Sequence, residues 1–140
     1  MSRITDSLQV DFALGAALNR VMQLRKVERG GVRFVECVEP IAQVSEVLEL
    51  VAGCIEHDAT GVLIESRMLP PEFFDLRSGF AGEFLQKLVN YGLRLAAVFP
   101  NEAAYGERFR EFLVEAKRGR SFRSFSERAD AEAWLRGESA

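Results

Sequence analysis

The stretch Leu69-Pro-Pro-Glu-Phe-Phe-Asp-Leu-Arg-Ser-Gly-Phe-Ala-Gly-Glu-Phe-Leu-Gln-Lys-Leu-Val-Asn-Tyr91 decides how this chain is built. Pro70 and Pro71 mark a start, because proline suits the first position of a helix, and a short helical turn is predicted through Phe73-Phe74. A second helix opens at Arg77-Ser78-Gly79. Phe80, Ala81, Phe84, Leu85, Leu88 and Val89 recur at helical spacing, and Gly92 stands where a left-handed C-terminal residue is wanted. Two short apolar runs flank the stretch, Gly61-Val-Leu-Ile-Glu65 and Leu93-Arg-Leu-Ala-Ala-Val-Phe99. Apolar runs bounded by turn signals are the pattern of buried parallel strands. Strand, helix, strand in that order predicts an α/β sheet with right-handed crossovers.

Working outward, residues 22–28 and 32–38 read as strands joined at Arg29-Gly30-Gly31. A glycine pair between strand signals predicts a tight hairpin, whose turn needs positive φ. After Pro40, Ser45 is the expected cap of a helix carrying Val44, Val47, Leu48, Val51, Cys54 and Ile55. Beyond Pro100, one helix is predicted over 102–118 with Gly119 as its stop. A strand follows over 121–125, then a helix capped by Ser126 and closed by Trp134-Leu135 and Gly137. The order is β-β-α-β-α-β-α-β-α. The expected fold is a singly wound β/α superhelix, antiparallel in its first hairpin and otherwise parallel, forming one domain over residues 22–137. Residues 1–21 form an N-terminal extension whose part 5–21 reads as an irregular helix. With strands in sequential order the crossover helices gather on one sheet face, yet the inner strands are apolar on both. The extension or a second subunit is therefore expected to cover the other face, and a symmetric homodimer is the expected assembly.

The 140 residues suffice for one well-cored domain. A 48% hydrophobic and 28% charged composition is that of a globular protein, and a net charge of −3 argues against nucleic-acid binding, which needs a clustered basic surface. The contrary feature is the run Lys117, Arg118, Arg120, Arg123 with Phe122 and Phe125 between. It is more simply read as cations closing a helix before a strand that alternates. No run approaches the ~20 apolar residues that span a bilayer, so no membrane partner is expected and the chain reads as cytoplasmic. Cys37 and Cys54 lie in apolar segments and read as buried thiols.

Ser78, with Arg77, Gly79 and Gly82, is the leading candidate site. A serine at a helix start caps a free amide, and an anion there gains from the helix dipole and from a neighbouring arginine. The plain alternative is a cap and nothing more, with Gly79 and Gly82 small because the helix packs closely. Asp75, Glu72 and Glu83 are carboxylates near this point, but acid–base work would need their pKa values driven apart. Phe73 and Phe74 either line a small-molecule pocket or belong to the core. Cys54 and His57, three apart on a helix, make a conceivable nucleophile and base, but Cys54 lies on the apolar stripe. Two cysteines and one histidine have no zinc spacing, so no metal and no cofactor are expected. Gly30-Gly31 joins two strands, which a phosphate loop does not.

The block Pro71-Glu-Phe-Phe-Asp-Leu-Arg-Ser-Gly-Phe-Ala-Gly-Glu-Phe-Leu-Gln-Lys-Leu-Val-Asn-Tyr-Gly92 and the ending Ala131-Glu-Ala-Trp-Leu135 resemble an uncharacterised bacterial family, domain of unknown function 4180. That resemblance covers roughly residues 22–135 and implies no chemistry. More distantly, the element order and the Ser-Gly at a helix start look like STAS domains of anti-sigma-factor antagonists. In those β/α superhelices a serine at such a position can be phosphorylated to break a partner interface. Their signature is only loosely echoed by Asp75-Leu-Arg-Ser-Gly79. The expected role is a non-enzymatic cytoplasmic interaction or regulatory module working through the 70–91 segment. The second expectation is a small-molecule or anion-binding protein, or a weak enzyme, with its pocket at the Ser78 helix start.

Overall fold

The computed structural model describes residues 22–137 of the chain. Strands β1 (Leu24–Arg29) and β2 (Val32–Cys37) form the predicted hairpin, with Gly30 and Gly31 at φ 59° and 82° in its turn. After a 3-10 turn at Val44–Glu46 come α1 (Val47–His57) and β3 (Gly61–Glu65). The chain continues through short turns into α2 (Pro71–Phe74), α3 (Phe80–Asn90) and β4 (Arg94–Val98). It ends with α4 (Glu107–Ala116), β5 (Phe122–Phe125) and α5 (Arg128–Leu135). The strands lie side by side in sequence order, β1-β2-β3-β4-β5. The first pair is antiparallel and the other three pairs are parallel, as expected.

Val35, Val62, Ile64, Leu95 and Ala97 point to one face and pack under α1, α3 and α4 in the larger core. Val27, Phe34, Leu63, Ala96, Val98 and Phe125 point to the other. The expectation that a second subunit or residues 1–21 cover this second face meets a different occupant, which is α5. Its Ala131, Trp134 and Leu135, spaced i, i+3, i+4, bury against those strands. α5 follows the edge strand β5 and leads to no further strand among the described residues, so the crossover rule does not hold it to the first face. The fit is close at Gly61, where an added Cβ would lie 2.8 Å from Leu135 Cδ2. The helix read into residues 5–21 lies outside the described residues.

Three further expectations change. The helix predicted over 102–118 is broken: a 3-10 turn occupies Glu102–Tyr105, and Gly106 at φ 86° and ψ 166° leaves helical space before α4 begins. Ser126 does not cap α5, because the helix starts one residue later and Glu127 holds the capping position with no side-chain bond. Ser45 does not cap α1. Glu46 instead turns its carboxylate back to accept from the amides of Ala42 (3.1 Å) and Gln43 (2.8 Å), tying down the loop that enters the helix.

Candidate functional site

The 70–80 corner lies past the C-terminal ends of β3 and β4, the edge where α/β folds commonly place their ligands. It turns sharply in three steps. Pro70 and Pro71 start α2, which ends after one turn. Asp75 then caps a 3-10 turn over Leu76–Ser78, its Oδ1 accepting from the Arg77 amide at 3.1 Å and from Arg77 Nε at 3.4 Å. Gly79, at φ 75°, swings the chain into α3. Ser78 locks the corner. Its Oγ donates to the Glu72 carbonyl at 2.6 Å and accepts from the Phe80 amide at 3.1 Å, joining the end of α2 to the start of α3. Gly79 holds the capping position itself, and Ser78 stands one residue before it.

The other predicted site residues divide. Arg77 is close in sequence but its guanidinium goes to Asp75, away from the Ser78 hydroxyl. Gly82 is on the open side of α3 with nothing near the place a Cβ would occupy, so close packing does not explain it. The same holds for Gly79, whose positive φ is the reason for a glycine there. Phe73 is fully buried, with edge contacts to Phe84 (5.9 Å), Phe109 (6.0 Å) and Phe99 (6.5 Å). Phe74 stacks on Tyr105 at 4.0 Å and 10°. These rings build the core wall that fixes the corner. Phe74, with Tyr105 and Phe109, also lines a cleft of about 400 Å³ between the 74–77 turn and residues 105–109, with Asp75, Arg77, Glu107 and Arg108 around it.

The arrangement holds the Ser78 proton on a carbonyl, where no base activates it as a nucleophile. Glu72 and Glu83 stand in solvent. Cys54 is buried with Sγ turned to the Gly61 carbonyl at 3.8 Å, and burial pushes its thiol up to about 12. Cys37 is likewise pushed up to about 11 by burial. Both stay protonated at neutral pH, and the thiolate is the reactive form. Among the described residues no group of three or more His, Cys, Asp or Glu is placed to hold a metal, and no helix is long and apolar enough to cross a membrane.

Sequence reasoning missed a polar cluster on the second sheet face. Glu36 is almost wholly buried there, and Arg128 of α5 grips it with two bonds of 2.7 Å. Arg128 also reaches Glu132 at 2.9 Å, and Arg25 lies 3.5 Å from Glu36. The hydrogen bonds from Arg128, opposed by burial, hold the Glu36 carboxyl below its ordinary range. The available signal was a lone glutamate inside the apolar strand Val-Arg-Phe-Val-Glu-Cys, two residues after the inward-facing Phe34.

Residues 31–135 match the family described as "Domain of unknown function (DUF4180)". The chain belongs to that family. The DUF4180 match runs from the β1–β2 turn to the last residue of α5, so Ser78, its corner, Glu36 and Arg128 all lie inside it. No curated protein and no solved structure matches the chain.

Proposed function

We propose that this DUF4180 chain is a non-enzymatic, cytoplasmic interaction or regulatory module that works through the 70–91 segment, with Ser78 as its control point. The observation that carries this is the double engagement of an exposed hydroxyl. Ser78 Oγ needs its proton to hold the Glu72 carbonyl at 2.6 Å. Esterification with phosphate removes that proton and sets negative oxygens against a carbonyl oxygen, which opens the latch between α2 and α3. The likeness to STAS domains belongs to this proposal, as does self-association as a two-fold dimer.

The test uses three variants. Ser78→Thr keeps donor and acceptor and should behave as wild type. Ser78→Ala should cost about 1 kcal/mol of stability. Ser78→Asp accepts from the Phe80 amide but offers no proton to Glu72, so it mimics the opened latch. It should fold, by circular dichroism, yet lose a partner that the full-length wild type captures from its host lysate. A folded Ser78→Asp protein that keeps every partner makes Ser78 a structural lock only.

The second reading, a small-ligand protein, is favoured by the cleft beside the same turn. Its lining carries both signs of charge, Asp75 and Glu107 with Arg77 and Arg108, around the edge of Phe74. Such a lining suits a zwitterionic ligand better than a simple anion. Native mass spectrometry of protein purified from its host would show that ligand directly.

A further inference from the structure

At the opposite ends of the strands lies a second groove, of about 340 Å³, formed where the α3–β4 and α4–β5 turns meet Trp134 of α5. Its charged lining is of one sign: Arg94, Arg120 and Arg123, with Ser121 beside them. Several other arginines find carboxylates, as Arg128 finds Glu36 and Arg33 finds Glu28. These three have no carboxylate within ion-pair distance among the described residues. Two of them bond neutral carbonyls, Arg94 Nε that of Arg120 at 3.3 Å and Arg123 that of Lys117 at 3.0 Å. Arg123 Nε is buried and has no hydrogen-bond partner among the described residues.

The cations are also held in place. The Arg94 guanidinium lies 3.9 Å from the centre of the Trp134 ring, and that of Arg123 lies 5.6 Å from it. Two guanidiniums on one indole are fixed by cation–π attraction while repelling each other. Burial, and then the Arg123 charge, lower the pKa of Arg94. An anion between them relieves the repulsion, and planar guanidinium forks match the oxygens of a phosphate.

We propose that this groove binds a small phosphate-bearing ligand, its phosphate held by Arg94, Arg120 and Arg123 and its carbon part against Val89 and Leu93. A net charge of −3 over the whole chain disfavours a long polyanion and leaves a local site for a small one.

Trp134 is the only tryptophan in the sequence, so its fluorescence reports on this groove. Full-length protein is titrated with inorganic phosphate and with glycerol 3-phosphate at constant ionic strength. Both should give a saturable change, and glycerol 3-phosphate the tighter one if Val89 and Leu93 take the carbon part. Arg120 is exposed, so Arg120→Gln should leave the melting temperature unchanged while weakening binding about tenfold, the loss expected for one charge-assisted hydrogen bond. Arg123→Gln should weaken it as well. The proposal is overturned by an unsaturable response, by an equal response to chloride, or by unchanged affinity in both variants. Tighter binding of a single-stranded oligonucleotide than of either phosphate also overturns it, in favour of a polymer site.

Discussion

A buried ion pair and an exposed hydroxyl do different work in this protein. Glu36 and Arg128 are 92 positions apart and close one face of the sheet with two short bonds. Taking both charges out of water is costly, so the pair gives little net stability, whereas removing one member leaves the other uncompensated. Arg128→Met should therefore cost about 2 kcal/mol in urea unfolding, and adding Glu36→Leu should recover most of it. Because Arg128 lowers the Glu36 pKa in the folded state, the folded protein binds fewer protons there than the unfolded chain. The stabilisation is complete above the ordinary carboxylate value of 4.5 and is lost as pH falls through the depressed one. Unfolding free energies measured downward from pH 6 should fall less steeply for the double variant than for wild type. Equal slopes would assign the acid sensitivity to other carboxylates.

At the scale of the element, two glycines of one helix start make opposite predictions. Gly79 sits at φ 75°, and Gly79→Ala should cost about 1 kcal/mol. Gly82 is helical and open to solvent, and Gly82→Ala should stabilise by about 0.5 kcal/mol. Thermal melts of the two variants check both signs at once. Element types were legible because a glycine pair separates the strand signals of β1 and β2, short apolar runs between turn signals mark β3 and β4, and apolar residues repeat every three or four positions in α1 and α3. That the Ser78 hydroxyl would accept from a free amide of the first turn was legible too, and the amide is that of Phe80. The bond to Glu72 was not, because it depends on how far α2 runs. The split at Gly106 escaped notice since Tyr105, Phe109 and Phe112 keep helical spacing across the break. Gly82 was misread for a related reason: a glycine's letter does not say whether it serves closeness or simply fills an exposed place.

For the molecule as a whole, the side of the sheet a helix chooses is set by tertiary fit, and α5 was therefore the least legible element. Its Trp134-Leu135 ending and Gly137 stop predicted a helix but not that Ala131, Trp134 and Leu135 lie over Leu63 and Ala96. With that face covered from within, residues 22–137 hold both cores. A chain starting at Met22 should unfold cooperatively at the same midpoint as the full protein in differential scanning calorimetry. A lower midpoint would show that the first 21 residues add contacts of their own.

Sequential strand order has a bearing on how the molecule is made. Each strand from β2 to β5 pairs with the one before it, so a chain leaving the ribosome can extend its sheet step by step with modest loop closure at each stage. The second face obeys another timetable. Leu63 and Ala96 sit in strands three and four, but their cover and the arginine that makes the two short bonds to Glu36 arrive together in the last described helix. Until then a nascent chain carries a nearly finished sheet with one greasy side and a carboxylate held by Arg25 alone in its midst, the state in which partly made α/β domains stick to one another.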